Sequence, residues 1–531
     1  MAGTETTPLL HADGEGQQST TVQESRRGVR RTAALVIIPY FLFSVLAGAS
    51  ATVEIEAIGQ IACRLVVAVP VPSASDKERL EWEAMCRVAP DVLARTSSVV
   101  TEILLIAGVL SAMTAAWWGG ISDRKGRRII LGITSAVDIV TNIVMVLVLA
   151  YPAKFGYGWL LGSAVVAGLG GGQLASTAIG ATYLSDLATP ETKTQILSLY
   201  EAANWGGLAL GPLLGPYLMQ VRGLGVTAPY VGLLLSRLAF IAMLPFLRET
   251  LPAKRVDLFE TSGPDEVPDK PSSFFASFFA APLALLRPLS VLVPDKVNGR
   301  RDYRLPLIAA SYGLFMIVPG LGPVKILFAR GQFGWGPLET GRFITFTGIL
   351  KLVVLVGVVP LAARLLRKAD TPTNEPEETM EDIEVPVSSS RQPTGSRSSV
   401  WDLALAKTSI SLALIGYLAM LLPARNRLMP FLVGSGFTAF AAAAPPAILS
   451  LALAFSPAED SGKVLASLSA IATVSVTAIG PSLFGAVYVA VLRWWPQFVF
   501  LLAAMWVASS LIPLFAIRLR RPGAAPLPSA L

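Results

Sequence analysis

The chain has 531 residues, 53% of them hydrophobic and 15% charged, with a formal net charge of +7 and a mean hydropathy of +0.59. That composition excludes a soluble globular domain, in which about 45–50% of residues are apolar. Apolar runs of about twenty residues recur throughout. Each can cross a hydrocarbon core of about 30 Å as a helix, which satisfies its own backbone in lipid.

The alternating period of a membrane β-barrel is absent. Basic residues fall in loops between apolar runs, as the positive-inside rule requires, rather than on one face that would suit nucleic acid. Two cysteines cannot build a disulfide framework. The only histidine is His11, so proton work inside a membrane falls to carboxylates. No metal or cofactor site is expected.

In chain order, residues 1–32 are polar and end in Arg26, Arg27, Arg30 and Arg31. They read as a disordered cytoplasmic tail, without the short apolar core of a signal peptide. Within it, Glu5-Thr-Thr-Pro-Leu9-Leu10 resembles an acidic dileucine sorting signal, which points to a vacuole or lysosome. Without that signal, the plasma membrane is the destination.

Six apolar segments follow, near residues 33–58, 99–118, 129–150, 159–183, 195–221 and 230–247. They form an N-terminal six-helix bundle over 33–247. Residues 248–304 make a cytoplasmic central loop, and its Ser273-Phe-Phe-Ala-Ser-Phe-Phe-Ala stretch reads as an interfacial amphipathic helix. Six more segments lie near 305–329, 343–366, 403–422, 428–455, 464–492 and 498–517, forming a C-terminal bundle over 305–517. An acidic, then Ser/Arg-rich, disordered cytoplasmic loop at 369–400 interrupts it, and 518–531 is a basic tail. These helices are numbered 1 to 12. An even number of spans puts both termini in the cytoplasm.

The polar loop between helices 1 and 2 balances acids and bases, as a non-cytoplasmic loop tolerates, and it holds Cys63 and Cys86. In an oxidising lumen they pair and contribute about 3 kcal/mol by constraining the unfolded loop. Otherwise they remain two free thiols.

Between helices 2 and 3 stands Gly119-Gly-Ile-Ser-Asp123-Arg124-Lys-Gly126-Arg127-Arg128, a basic, glycine-punctuated turn between two membrane-length runs. The chain also repeats itself. Asp186 to Lys193 precedes a mid-helix Gly211-Pro212 in helix 5, and Ser456 to Lys463 precedes Gly480-Pro481 in helix 11. The two halves therefore read as a duplication.

The turn is similar to the signature loop of the major facilitator superfamily of secondary transporters, matching it at Gly119, Asp123, Arg124, Gly126, Arg127 and Arg128. Helix 5 resembles a second family motif, described mainly for proton antiporters, at Gly207, Gly211, Pro212 and Gly215. It departs at the last position, where Pro216 replaces a glycine. After helix 8 the counterpart of the turn has Leu361 where the acid belongs, so the two gates are unequal. The cysteine-bearing loop and a helix 5 glutamate look like the branch with proton-coupled folate, haem-carrier-type and tetracycline-resistance-like members. The resemblance implies an all-α membrane fold of two pseudo-symmetric six-helix bundles, with helices 1, 4, 7 and 10 lining the cavity. It implies transport, not enzymatic catalysis.

Within that frame, Asp123 and Arg127 are the expected gate latch, with Asp123 set against the start of helix 11 near Ser461, an interaction of about 0.3–1 kcal/mol. Gly119 is expected to let helix 2 approach a neighbour closely. Glu201 shares a helix 5 stripe with Asn204, Leu208, Gly211 and Gly215, and is the expected proton-coupling acid. Gln173, Thr177 and Tyr183 on helix 4, Asn204 and Lys351 are the substrate-cavity candidates. Asp138 and Arg237, at matching depths of about 14 and 16 Å, are expected as a structural ion pair. Glu54 and Glu56 on helix 1, with Lys325 and Arg330 on helix 7, sit near outer helix ends, where interfacial water would solvate them. The chain is expected to act as a monomer in the lipid bilayer. It either moves a small organic solute with protons or, in a different class, binds solute as a transporter-like receptor.

Overall fold

The computed structural model describes residues 12–66, 76–188 apart from 153, 192–250 apart from 222, 292, 296–297, 300–361, 397–422, 428–456 and 461–517. The dileucine stretch, the expected interfacial helix, the 369–396 part of the second disordered loop and the C-terminal tail lie outside these residues.

Eleven helices among the described residues are long and apolar enough to cross a membrane. They are helices 1 (Thr32–Arg64), 2 (Pro90–Ala115), 3 (Arg127–Ala150), 4 (Tyr157–Leu187), 6 (Gly225–Phe246), 7 (Arg304–Phe333), 8 (Pro337–Leu361), 9 (Ser399–Ala419), 10 (Leu428–Ala454), 11 (Ser461–Val491) and 12 (Phe498–Ala516). Helix 5, Lys193–Leu218, is the twelfth long helix; polar residues and glycines dilute its apolar content. A loop helix, Asp76–Val88, joins helices 1 and 2. Helix 1 begins upstream at Ala12. The tail was expected to lack structure, but no proline stops the helix between residues 12 and 31. The only strand pairing described is two residues long, Lys296–Val297 with Arg300–Arg301.

Three helices break near their middles. Helix 4 breaks at Gly170 and Gly171, the latter at φ 83°, where the carbonyls of Gly168 and Leu169 accept bonds from Thr114 (2.7 Å) and Trp118 (2.9 Å). Helix 7 runs Arg304–Phe315, tightens to a 3₁₀ turn at Val318–Leu321 around Pro319, and resumes as Gly322–Phe333. Helix 10 has the same form, with a 3₁₀ turn at Phe440–Ala443 ahead of Pro445 and Pro446. Proline and glycine pairs dictate these sites because they remove backbone donors or admit left-handed φ. Helices 8 and 11 each carry a π-helical turn, Val354–Val358 and Ser475–Ile479.

The chain divides into two compact units, one of residues 1–51 and 113–274, the other of 52–112 and 275–531. In the first, helix 5 lies directly on helix 1. A Cβ on Gly211 would strike the Val45 carbonyl, and would sit 2.7 Å from both the Ala49 nitrogen and the Gly48 Cα. In the second, helix 11 meets helix 7 in the same way. A Cβ on Gly480 would strike the Ile317 carbonyl and sit 3.1 Å from the Gly320 Cα. Both contacts precede a proline, Pro212 or Pro481, so the duplication read in sequence is a duplicated backbone contact. The core of the second unit is a cluster of buried aromatic rings around Phe431, whose centroid is 5.2 Å from Phe343 and 5.8 Å from Phe328.

Candidate functional site

The signature turn is tighter than its glycines suggest. Helix 2 continues to Lys125, and helix 3 starts at Arg127. The corner is Gly126 alone, at φ 108°, and a Cβ there would sit 2.6 Å from Glu249 Oε2. Glycine is therefore required for conformation and for space. The Glu249 carboxylate accepts the Arg127 and Arg128 amides at 3.0 and 3.2 Å, capping the N-terminus of helix 3. Arg127 bonds Asp186 through Nε, Asp123 at 3.0 Å and the Thr182 hydroxyl at 3.1 Å. Asp186 and Glu249 are the partners that sequence reasoning missed. A Cβ on Gly119 meets nothing within 4 Å.

Deeper in the first unit, Arg237 Nη2 lies 2.7 Å from Asp138 Oδ2, and its guanidinium carbon stands 3.4 Å from the Phe43 ring centre. Tyr40 and Tyr200 stack at 4.3 Å beside it. Arg237, Phe43 and the two tyrosines, with Ser176, Gly180 and Ser236, line a small pocket. Gln173 approaches the Tyr40 hydroxyl, and the Glu201 charge acts on both tyrosines. Asn204 accepts a bond from Ser44 at 3.3 Å, while Thr177 returns its hydroxyl to the Gln173 carbonyl at 2.8 Å. Glu201 and Gln173 are exposed. Tyr183 does not belong with them. It is fully buried, and its hydroxyl donates to the Arg248 carbonyl at 2.8 Å. Of the helix 5 motif, Gly207, Gly211, Pro212 and Gly215 are all buried.

In the second unit, Cys63 and Cys86 form a disulfide that ties the loop helix to the end of helix 1. The bridge sets Arg87 beside Glu56, at 3.6 Å. Arg330 of helix 7 reaches the same carboxylate at 2.8 Å and also donates to the Ile55 carbonyl at 3.3 Å. Interfacial solvation was expected for Glu56 and Arg330, but both are only 3% exposed. The missed signal was opposite charges inside two apolar runs at similar distances from the same helix ends. Lys351 is exposed, and Lys325 donates to the Thr438 hydroxyl at 3.3 Å.

Long apolar helices in two halves related by a repeated glycine contact, and broken at their middles, define a polytopic membrane transporter. The chain belongs to the Major Facilitator Superfamily, whose profile matches residues 88–373. Among curated proteins it is similar to the MFS-type transporter avaJ of Aspergillus versicolor, 25% identical over 62% of each chain. The match thus spans less than two thirds of that relative's length. It is also 24% identical to an uncharacterised membrane protein of Schizosaccharomyces pombe, over 83% of this chain and 72% of that one. The fold resembles the crystal structure of the human organic anion transporter MFSD10 (TM-score 0.54, 19% identity, 91% and 99% of the two chains). It also resembles the inward-open Escherichia coli xylose transporter XylE (TM-score 0.55, 14% identity, 93% and 98%).

Proposed function

We propose that the chain is a secondary active transporter that moves a small organic solute, coupled to protons, by alternating access around a mid-membrane site. The observation carrying this reading is the set of matched breaks in helices 4, 7 and 10. Unwound backbone is tolerated at membrane depth only where protein buries it or it lines a cavity, and transporters build their sites there. Gln173, Thr177, Asn204 and Lys351 are the side chains offered to solute, and Glu201 is the acid offered to the proton. Asp138 and Arg237 hold helices 3 and 6 together. Asp123 and Arg127 latch the cytoplasmic gate. In this orientation both termini are cytoplasmic, and the disulfide faces an oxidising space, at a vacuolar, lysosomal or plasma membrane. The transporter acts as a monomer.

The test is counterflow and gradient-driven uptake in proteoliposomes, using neutral, cationic and anionic solutes with a pH gradient of either sign. Exchange, with accumulation that collapses on adding a protonophore, is expected. Saturable binding without exchange would instead make the chain a transporter-like receptor.

A further inference from the structure

Helix 7 supplies the starting observation. Around its break, Val318, Gly320, Leu321 and Val324 are buried, while Pro319, Gly322 and Lys325, at three-residue spacing, remain accessible. The Lys325 ammonium donates to Thr438, two residues before the break in helix 10, and lies 5.1 Å from the ring centre of Tyr417 on helix 9. Lys351 stands three residues before the π-turn of helix 8, and its neighbour Leu350 reaches within 3.6 Å of where a Cβ on Gly436 would sit, two residues before Thr438. Helix 8 packs on helix 10 here, with the π-turn against the 3₁₀ turn. Three backbone irregularities thus converge on two ammonium groups.

Neither lysine has a carboxylate within ion-pair distance among the described residues, Glu54 and Glu56 included. Lys351 is about 15 Å or more from either end of helix 8 at 1.5 Å per residue, beyond the reach of a snorkelling side chain. An accessible ammonium at that depth implies a water-filled cavity, and two unpaired like charges there disfavour each other until an anion joins them. The aromatic face of Tyr417 adds an apolar wall.

We propose that Lys325 and Lys351, set at the breaks of helices 7, 8 and 10, form a binding site for a small organic anion with an apolar body. This rests on the transport reading above and names the substrate class for it. Lys325 holds the anionic group together with Thr438. Lys351 takes a second acidic group or shares the first.

The test is equilibrium binding of radiolabelled benzoate and phthalate to the purified full chain in neutral detergent, free of anionic lipid. Saturable binding is expected, competed by either anion and not by tetraethylammonium or glucose. Lys325→Met and Lys351→Gln should each weaken it tenfold or more, and Lys325→Arg only a few-fold. Lys351 is exposed, so Lys351→Gln keeps the fold if Lys325→Met does not. No saturable binding of either anion, unchanged binding in Lys351→Gln, or equal competition by chloride or by an anionic phospholipid each overturns the assignment. Counterflow of a neutral solute without anion binding would sink this inference and leave the transport reading standing. Binding of benzoate with no exchange of any solute would do the reverse.

Discussion

Arg330 Nη1 lies 2.8 Å from Glu56 Oε2, and the two side chains are only 4% and 3% exposed. The pair joins helix 7 to helix 1, one helix from each half of the duplication. Removing one partner of such a pair leaves an uncompensated buried charge and costs about 3–5 kcal/mol, whereas removing both is far milder. Glu56→Gln or Arg330→Met alone should therefore lower the thermal midpoint of the purified protein sharply. The double variant should recover much of the loss. Additive losses in the double variant would show that the two groups act separately.

The disulfide supports the same cluster, because Cys86 precedes Arg87 and holds it near Glu56. Closing a loop of this size contributes about 3 kcal/mol through the unfolded chain. A reductant should lower the midpoint of the wild type and leave Cys63→Ser unaffected. The chain has only two cysteines. A thiol-reactive mass tag on denatured protein should therefore add nothing before reduction and two labels after it. Two labels without reduction would remove the bridge from the argument.

The first link, from hydropathy to helices, was legible in the sequence, as was the repeat, because Gly211-Pro212 and Gly480-Pro481 stand at equivalent places. Charge at depth was less legible. Glu56 and Arg330 looked interfacial because position along a helix gives depth but not the face presented to a neighbour. Tyr183 failed for the same reason, since helical spacing put it on a stripe whose upper end turns into the Arg248 carbonyl. The breaks in helices 7 and 10 had a local signal in Pro319-Gly320 and Pro445-Pro446. What could not be read was their convergence on Lys325, which depends on how helices 7, 8 and 10 pack.

The helix 1–helix 5 contact makes a sharp steric prediction. A Cβ at Gly211 meets backbone atoms of helix 1, which cannot move as a side-chain tip can. Gly211→Ala should cost about 1–3 kcal/mol or more by overpacking. Gly206→Ala, five residues away with its nearest neighbour at 3.8 Å, should be close to neutral. Fluorescence-detected size exclusion on the two variants compares them directly. Equal behaviour would mean that helix 1 is free to shift.

At the hairpin the two acids on Arg127 are not equivalent. Asp123 is 56% exposed, whereas Asp186 is 34% exposed and binds Nε. Exposed pairs contribute about 0–1 kcal/mol. Asp123→Asn should therefore leave thermal stability nearly unchanged while altering transport, if Asp123 serves the gate. Asp186→Asn should lower stability measurably as well. Transport by Asp123→Asn at the wild-type rate, with unchanged accessibility of cysteines introduced around the hairpin, would end the latch proposal.

Glu201 gives the test that separates coupling from binding. It is exposed in helix 5 with no ion-pair partner among the described residues, one turn from Asn204 and within electrostatic reach of Tyr40 and Tyr200. An ionisable side chain in a membrane helix without a structural partner is a functional group by default. Replacing it with the isosteric amide removes the titratable proton and keeps the shape. Glu201→Gln should retain counterflow, which needs only solute exchange, and should lose accumulation against a solute gradient when a pH gradient is imposed. Both assays run on one batch of proteoliposomes, so a folding defect would appear as loss of both. A Glu201→Gln protein that still concentrates solute with the pH gradient would move the coupling acid elsewhere. Glu54, the half-buried acid of helix 1 in the second unit, would be the next residue to replace.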